Sequence, residues 1–277
     1  MDLIDWILNV AGVFLWIDWR SAQAARPRSA LSIASTVRPA SAGSPAKGLG
    51  SLASLAVILL VRPLFYYSIG SAVNWIPTLN FLAIAIPWRS DMLGRMFLFS
   101  FISFGKALGF YYAWLLLLSA TNRNISDEDG MQRFVRAQLG WLEKISWWFK
   151  LLLPSVVAGL VWVGLSSLFM ALGLMPTRPF EARWVQAGAF ALAALLAWKW
   201  LLVTLFLVHM LNIYVYLGTH PAWAYASATA RRLLAPFRFL QIGKLDLSPL
   251  IGAGIVLALA YWVIEPAVLG IFQRPIP

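Results

Sequence analysis

The sequence contains no cysteine. That excludes disulfides, a thiolate nucleophile, thiolate metal sites and haem attachment through a Cys pair. Charge is also scarce: 12% of the 277 residues are charged, and the 11 acids are outnumbered by 22 Lys and Arg. Histidine occurs only at His209 and His220, and neither has carboxylates nearby in sequence to complete a metal site. There is no GxSxG, no P-loop and no HExxH. No carboxylate pair stands within an apolar run where it could do acid–base work. The expectation is a protein that is not an enzyme and holds no cofactor.

What the chain has in abundance is apolar residues, 61% of the total, in runs long enough to cross a bilayer as helices of roughly 17–25 residues. Fifteen tryptophans, many near the ends of those runs, suit anchoring at the membrane–water interface. The net charge of +11 is read as loop lysine and arginine on the cytoplasmic side, with the anionic headgroups of the bilayer as their partner and no nucleic acid. No cleavable signal peptide is expected at the start, because it opens with Asp2 and Asp5 and Arg20 follows the apolar run instead of preceding it.

The runs cover about Leu3–Ile17, Ser51–Ile76, Met96–Ala120, Leu151–Leu174, Ala187–Tyr216 and Pro249–Phe272. They predict an all-α polytopic membrane bundle of five or six spans with amphipathic interfacial helices. The first run is short and carries Asp5, so residues 1–18 read as an anchor or an interfacial helix. Residues 19–50, rich in Ala, Ser, Pro and Arg, read as a disordered basic linker. Residues 51–93 hold a span followed by an apolar outer segment, Leu79–Ala85, that dips into the interface.

Basic residues alternate between loops. Arg20, Arg26, Arg28, Arg38 and Lys47 lie in the first connection, Arg123, Arg133, Arg136, Lys144 and Lys150 in Thr121–Lys150, and Arg231, Arg232, Arg238 and Lys244 in Gly218–Ser248. The other connections hold only Arg89, Arg95, Arg178 and Arg183, with Arg274 in the tail. The basic loops are therefore expected in the cytoplasm and the C-terminus outside. Within Asn124–Lys150, the acids Asp127, Glu128 and Asp129 suit a helix start, and the basic and apolar residues that follow suit a helix lying on the leaflet.

A shift of 95 residues brings Arg136 onto Arg231, Leu139 onto Leu234, Leu152 onto Leu247, Pro154 onto Pro249 and Gly159 onto Gly254. This predicts two weak parallel repeats, 94–174 and 185–277.

The second repeat carries the most distinctive stretch, Arg231–Gly254. Its Leu234-Ala235-Pro236-Phe237-Arg238 and Asp246-Leu247-Ser248-Pro249 elements resemble the signature of the YggT family of small multi-pass membrane proteins of bacteria and plastids. Ser248 suits a helix cap with Pro249 at the first helical position, and Asp246 stands where the helix dipole favours an anion. The guanidinium of Arg231, Arg232 or Arg238 is placed to reach Asp246 or a lipid phosphate. Arg231, Arg232, Pro236, Arg238, Asp246, Ser248 and Pro249 thus form a candidate motif for a protein partner or lipid. In the first repeat the shift puts Leu151 and Trp141 at the positions of Asp246 and Pro236, so that copy departs from the family pattern.

Intramembrane charge is the other feature. Lys106 and Lys199 lie deep in apolar runs, and such lysines usually face protein or water. Lys199 stands 18 residues before Leu217, and Glu265 stands 17 after Ser248. At about 1.5 Å per residue the two share a depth, which predicts an intramembrane pair. Lys106 has no acid at the corresponding place, which is Met170, and tyrosine hydroxyls at Tyr111 or Tyr112 are its expected partners.

The resemblance implies a non-enzymatic factor of the bacterial cytoplasmic membrane. Relatives are linked to cytochrome assembly and to cell division, so the basic loops would support assembly of other membrane or division components, with a membrane-protein partner or a homo-oligomer. The alternative is a small channel or transporter component using Lys106, Lys199, His209 and Glu265.

Overall fold

The computed structural model describes residues 2–24, 45–73, 75–81, 84–124, 129–177, 179–215, 220–242 and 245–273. It is all-α apart from two short hairpins, and five of its helices are long and apolar enough to cross a membrane. These are Gly48–Gly70, Leu93–Thr121, Trp147–Ala171, Phe180–Tyr214 and Ser248–Phe272. Most of the expected linker, residues 25–44, lies outside the described residues, as do Asp127, Glu128, Arg178, Lys244 and Arg274.

The first compact unit comprises residues 1–79, 87–111 and 136–140. Helix α1 (Asp2–Ala24) is 23 residues long, about 35 Å at the ordinary helical rise. It therefore runs beyond the expected Leu3–Ile17. Helix α2 (Pro45–Ala72) begins within the expected linker and packs along α1. Polar contacts fix the direction of this pair: Asp18 accepts from the Ser51 hydroxyl, Asn9 from Arg62, and Asp5 from Tyr66. As one number rises the other falls, so the helices are antiparallel along their length. Leu55, Leu59 and Phe104 are buried against Val13, Leu15, Trp16 and Leu108. Gly12 admits Phe104, since a Cβ there would lie 2.8 Å from the Phe104 ring.

After α2 the expected interfacial segment is a hairpin of β1 (Thr78–Phe81) and β2 (Ile84–Pro87). In the first unit, Tyr66, Trp75, Trp88 and Phe99 form an edge-to-face aromatic cluster. Helix α3 (Leu93–Thr121) gives its first part to this unit and its last turns to the second.

The second unit comprises residues 80–86, 112–135 and 141–277. Helix α4 (Gly130–Leu139) starts where the Asp129 carboxylate accepts from the amides of Met131 and Gln132. It stops at Gly140, whose φ of +59° only glycine adopts without strain. A 3₁₀ turn, Gly140–Lys144, follows, so the expected surface helix is broken in two. Helix α5 (Trp147–Ala171) packs closely on α6 (Phe180–Ala193), where Gly159 leaves room for the Ala187 carbonyl. Trp162 stacks on Phe190 at 3.8 Å between the same helices.

The fourth span passes from α6 through a 3₁₀ turn, Ala194–Trp198, into α7 (Lys199–Tyr214). Helix α8 (Pro221–Leu233) precedes a 3₁₀ turn at Ala235–Leu240 and the small hairpin of β3 (Gln241–Ile242) and β4 (Leu245–Asp246). The last span runs through α9 (Ser248–Ala258), a π-turn at Leu259–Ile264 and α10 (Glu265–Gln273). Pro266 explains the π-turn: its ring would clash with the carbonyl four residues back, and a widened turn relieves the clash. Val203, Leu205, Phe206, Ala230, Leu234 and Ala253 form the buried core joining α7, α8 and α9.

The same order of elements occurs twice from α3 onward: a long helix, a short amphipathic helix, a 3₁₀ turn and a long helix. The two 3₁₀ turns begin at Gly140 and Ala235, the 95-residue displacement seen in the sequence.

Candidate functional site

Among the described residues, three ion pairs join charged side chains of the helical regions. The first lies in unit one. Arg62 follows from an apolar run of α2 and is buried, with its guanidinium donating to Asn9 Oδ1 at 2.8 Å, to Ser100 Oγ at 3.0 Å and to the Ser100 carbonyl. Asp5 supplies the counter-charge, 3.4 Å from Arg62 Nη1. Its carboxylate also accepts from Asn9, Ser103 and Tyr66 at 2.7–3.0 Å. Next to Arg62, Pro63 removes the amide that would serve the Leu59 carbonyl. Ser100 donates to that carbonyl instead, at 3.0 Å. Lys106 lies half-buried on α3 in the same unit.

The second site is the Lys199–Glu265 pair in unit two, with Nζ 2.9 Å from Oε1. The ammonium also lies 4.1 Å from the Tyr261 ring centroid and 5.5 Å from that of Trp200, within cation–π range. Both helices depart from α geometry here, α7 emerging from its 3₁₀ turn at Lys199 and α10 from the π-turn at Glu265. Two indoles brace the 3₁₀ turn: Trp114 donates to the Ala197 carbonyl at 2.6 Å and Trp198 to the Ala113 carbonyl at 2.9 Å.

At the end of unit two that carries the basic connections, Lys150 turns inward. It pairs with Glu143 at 3.0 Å and donates to Ser119 Oγ, which in turn donates to Glu143. Asn122 donates to Thr229 and accepts from Arg232, linking α3 to α8. Buried Tyr225 donates to Gln132 at 2.8 Å, and burial pushes its phenol up to about 12.

The Arg231–Pro249 motif divides into pinned and outward-facing parts. Ser248 and Pro249 are buried at the start of α9. The Ser248 hydroxyl donates to the Phe237 carbonyl at 3.0 Å, and its amide donates to Asp246 Oδ1 at 2.9 Å. The Asp246 amide donates to the Tyr214 hydroxyl. Asp246 therefore closes an Asx-type turn, and among the described residues it forms no ion pair with Arg231 or Arg232. Arg231, Arg232 and Pro236 are exposed, and the Arg238 side chain lies outside the described residues. His209 is buried on α7, with no hydrogen-bond partner for Nδ1 among the described residues. His220 caps α8, accepting from the Ala222 amide. Among the described residues no His, Cys, Asp or Glu cluster is placed to hold a metal.

Sequence reasoning missed the Asp5–Arg62 network. An arginine inside an apolar run was the available signal, and Ser100 and Ser103 share a helical face. The partner acid sat in the one segment whose shortness argued against spanning.

Compared with models of known families, with curated proteins and with solved structures, the chain matches none. Its five apolar helices define its class, a multi-pass membrane protein.

Proposed function

We propose that the chain is a non-enzymatic membrane factor of the YggT type, seated in the bacterial cytoplasmic membrane with its basic connections in the cytoplasm. It supports assembly or organisation of other membrane or division components through those connections. The observation that carries this reading is the division of labour in Arg231–Pro249: Asp246, Ser248 and Pro249 hold the segment down, while Arg231 and Pro236 face outward and Arg232 is exposed beside its bond to Asn122. Exposed arginines on a fixed scaffold suit acidic protein surfaces and anionic headgroups. The family resemblance of the same residues supplies the kind of role.

A second observation favours this reading over a channel. Arg62, Lys150 and Lys199 are each ion-paired within the protein, where a cation path wants acids in series. Affinity purification in mild detergent tests the proposal, comparing the native chain with an Arg231→Ala/Arg232→Ala variant and with Lys199→Ala at matched membrane levels. A stoichiometric membrane-protein partner lost only from the arginine variant is the expected result. Retention of that partner by the arginine variant, or solute flux abolished by Lys199→Ala, would overturn it.

A further inference from the structure

The last span is the least covered by its own chain. Of its most apolar window only 11% is buried inside the protein, against 17–39% for the other four. Its outward face is not purely apolar. Trp262 is 81% exposed, the most of any large hydrophobic residue described. The Glu265 side chain, one turn further on, is 31% exposed even though Lys199 holds one of its oxygens. A carboxylate open to hydrocarbon is costly and normally faces protein or water. An exposed indole N–H in the same setting lacks the acceptor that buried or interfacial tryptophans usually find.

One donor and one acceptor therefore stand a turn apart on the same uncovered face. Such a face is self-complementary. Two copies related by a two-fold axis along the membrane normal bring the same face of both spans together, and each contact occurs twice. In parallel helices the acceptor lies about 4.5 Å further along than the donor, three residues at the helical rise, which is within an indole's reach. Within the π-turn at Leu259–Ile264, Trp262 is exposed while the Tyr261 ring lies by the Lys199 ammonium.

We propose that the chain pairs with a second copy of itself along this face, each Trp262 indole donating to Glu265 of the other copy. The exposed part of each Glu265 side chain is thereby covered by a polar contact of the kind membrane helices commonly make. This proposal stands apart from the assembly role, since it uses residues well inside unit two's last span and none of Arg231–Ser248.

The absence of native cysteine allows a direct test by oxidative cross-linking in membranes at low expression. Leu269→Cys lies one turn beyond Glu265 on the same face, and Leu160→Cys, 58% exposed on α5, is the control. The expected result is a cross-linked species of twice 30.8 kDa for Leu269→Cys and none for Leu160→Cys. Adding Trp262→Phe, which keeps the ring and removes the donor, should weaken pairing about tenfold, as expected for losing two reciprocal interhelical hydrogen bonds. No cross-link above the control, or a product with a different protein, would overturn the self-pairing. An efficient cross-link that Trp262→Phe leaves unchanged would overturn the Trp262–Glu265 contact.

Discussion

Asp5 and Arg62 lie 3.4 Å apart, although one stands in the first turn of α1 and the other two-thirds of the way along α2. Their pairing fixes how α1 lies against α2. A helix of 23 residues that follows a spanning helix antiparallel from Asp18 to Asp5 shares its depth. Of its acids, Asp5 and Asp18 are matched by α2 and α3.

Removing the acid alone should be severe. Asp5→Ala leaves the Arg62 guanidinium buried without its counter-charge, which costs about 3–5 kcal/mol. Thermal unfolding in detergent should show it, and a joint Asp5→Leu/Arg62→Leu replacement should recover much of the loss. A change in stability below about 0.5 kcal/mol for Asp5→Ala would mean that the pair is a bystander.

If α1 spans, its two ends are on opposite sides of the membrane. Single cysteines at Asp2 and Met92 should react with an impermeant maleimide from one side and a cysteine at Gln23 from the other. Labelling of Asp2→Cys and Gln23→Cys from the same side would return α1 to the interface.

Tyr225 gives a pH dependence. Its phenol stays protonated in the folded protein to about 12 because it is buried, whereas an unfolded tyrosine ionises near 10. The stability it contributes is whole below pH 10 and is lost as pH rises toward 12, at up to about 1.4 kcal/mol per pH unit. Tyr225→Phe should flatten that part of a stability–pH curve, at a cost of about 1–3 kcal/mol at neutral pH for the stranded Gln132 carbonyl.

Gly252 permits the close approach of α9 to the core, since a Cβ there would meet Leu234 Cδ2 at 2.6 Å and the Phe206 ring at 3.2 Å. Gly252→Val should therefore overpack the α7–α8–α9 core and destabilise it by about 1–3 kcal/mol. Gly254→Ala, which meets nothing within 4 Å, serves as the control. Equal stability of the two variants in a detergent melt would count against this account.

The class of fold was legible because bilayer thickness imposes a run length that apolar composition reports directly. For the same reason the expected Met96–Ala120 and Pro249–Phe272 runs lie within Leu93–Thr121 and Ser248–Phe272. The shared depth of Lys199 and Glu265 was also readable, because helical rise converts a residue count into a height. Gly140 was less legible. A basic–apolar alternation does not announce a positive φ, and the surface helix breaks there.

The sequence by itself determined the spans, the alternation of basic loops and the 95-residue echo between the halves, all of which depend on local order along the chain. Only the tertiary structure decided that Asp5 meets Arg62, that Ser100 serves the carbonyl freed by Pro63, and that Lys150 turns inward to Glu143. Those contacts join residues 41 or more positions apart, except Lys150 with Glu143, which face each other across the break between the 3₁₀ turn and α5. Periodicity gives the face a side chain occupies on its own helix. It does not give the neighbour on the next one, and in a medium without water that neighbour decides whether a charge can be buried.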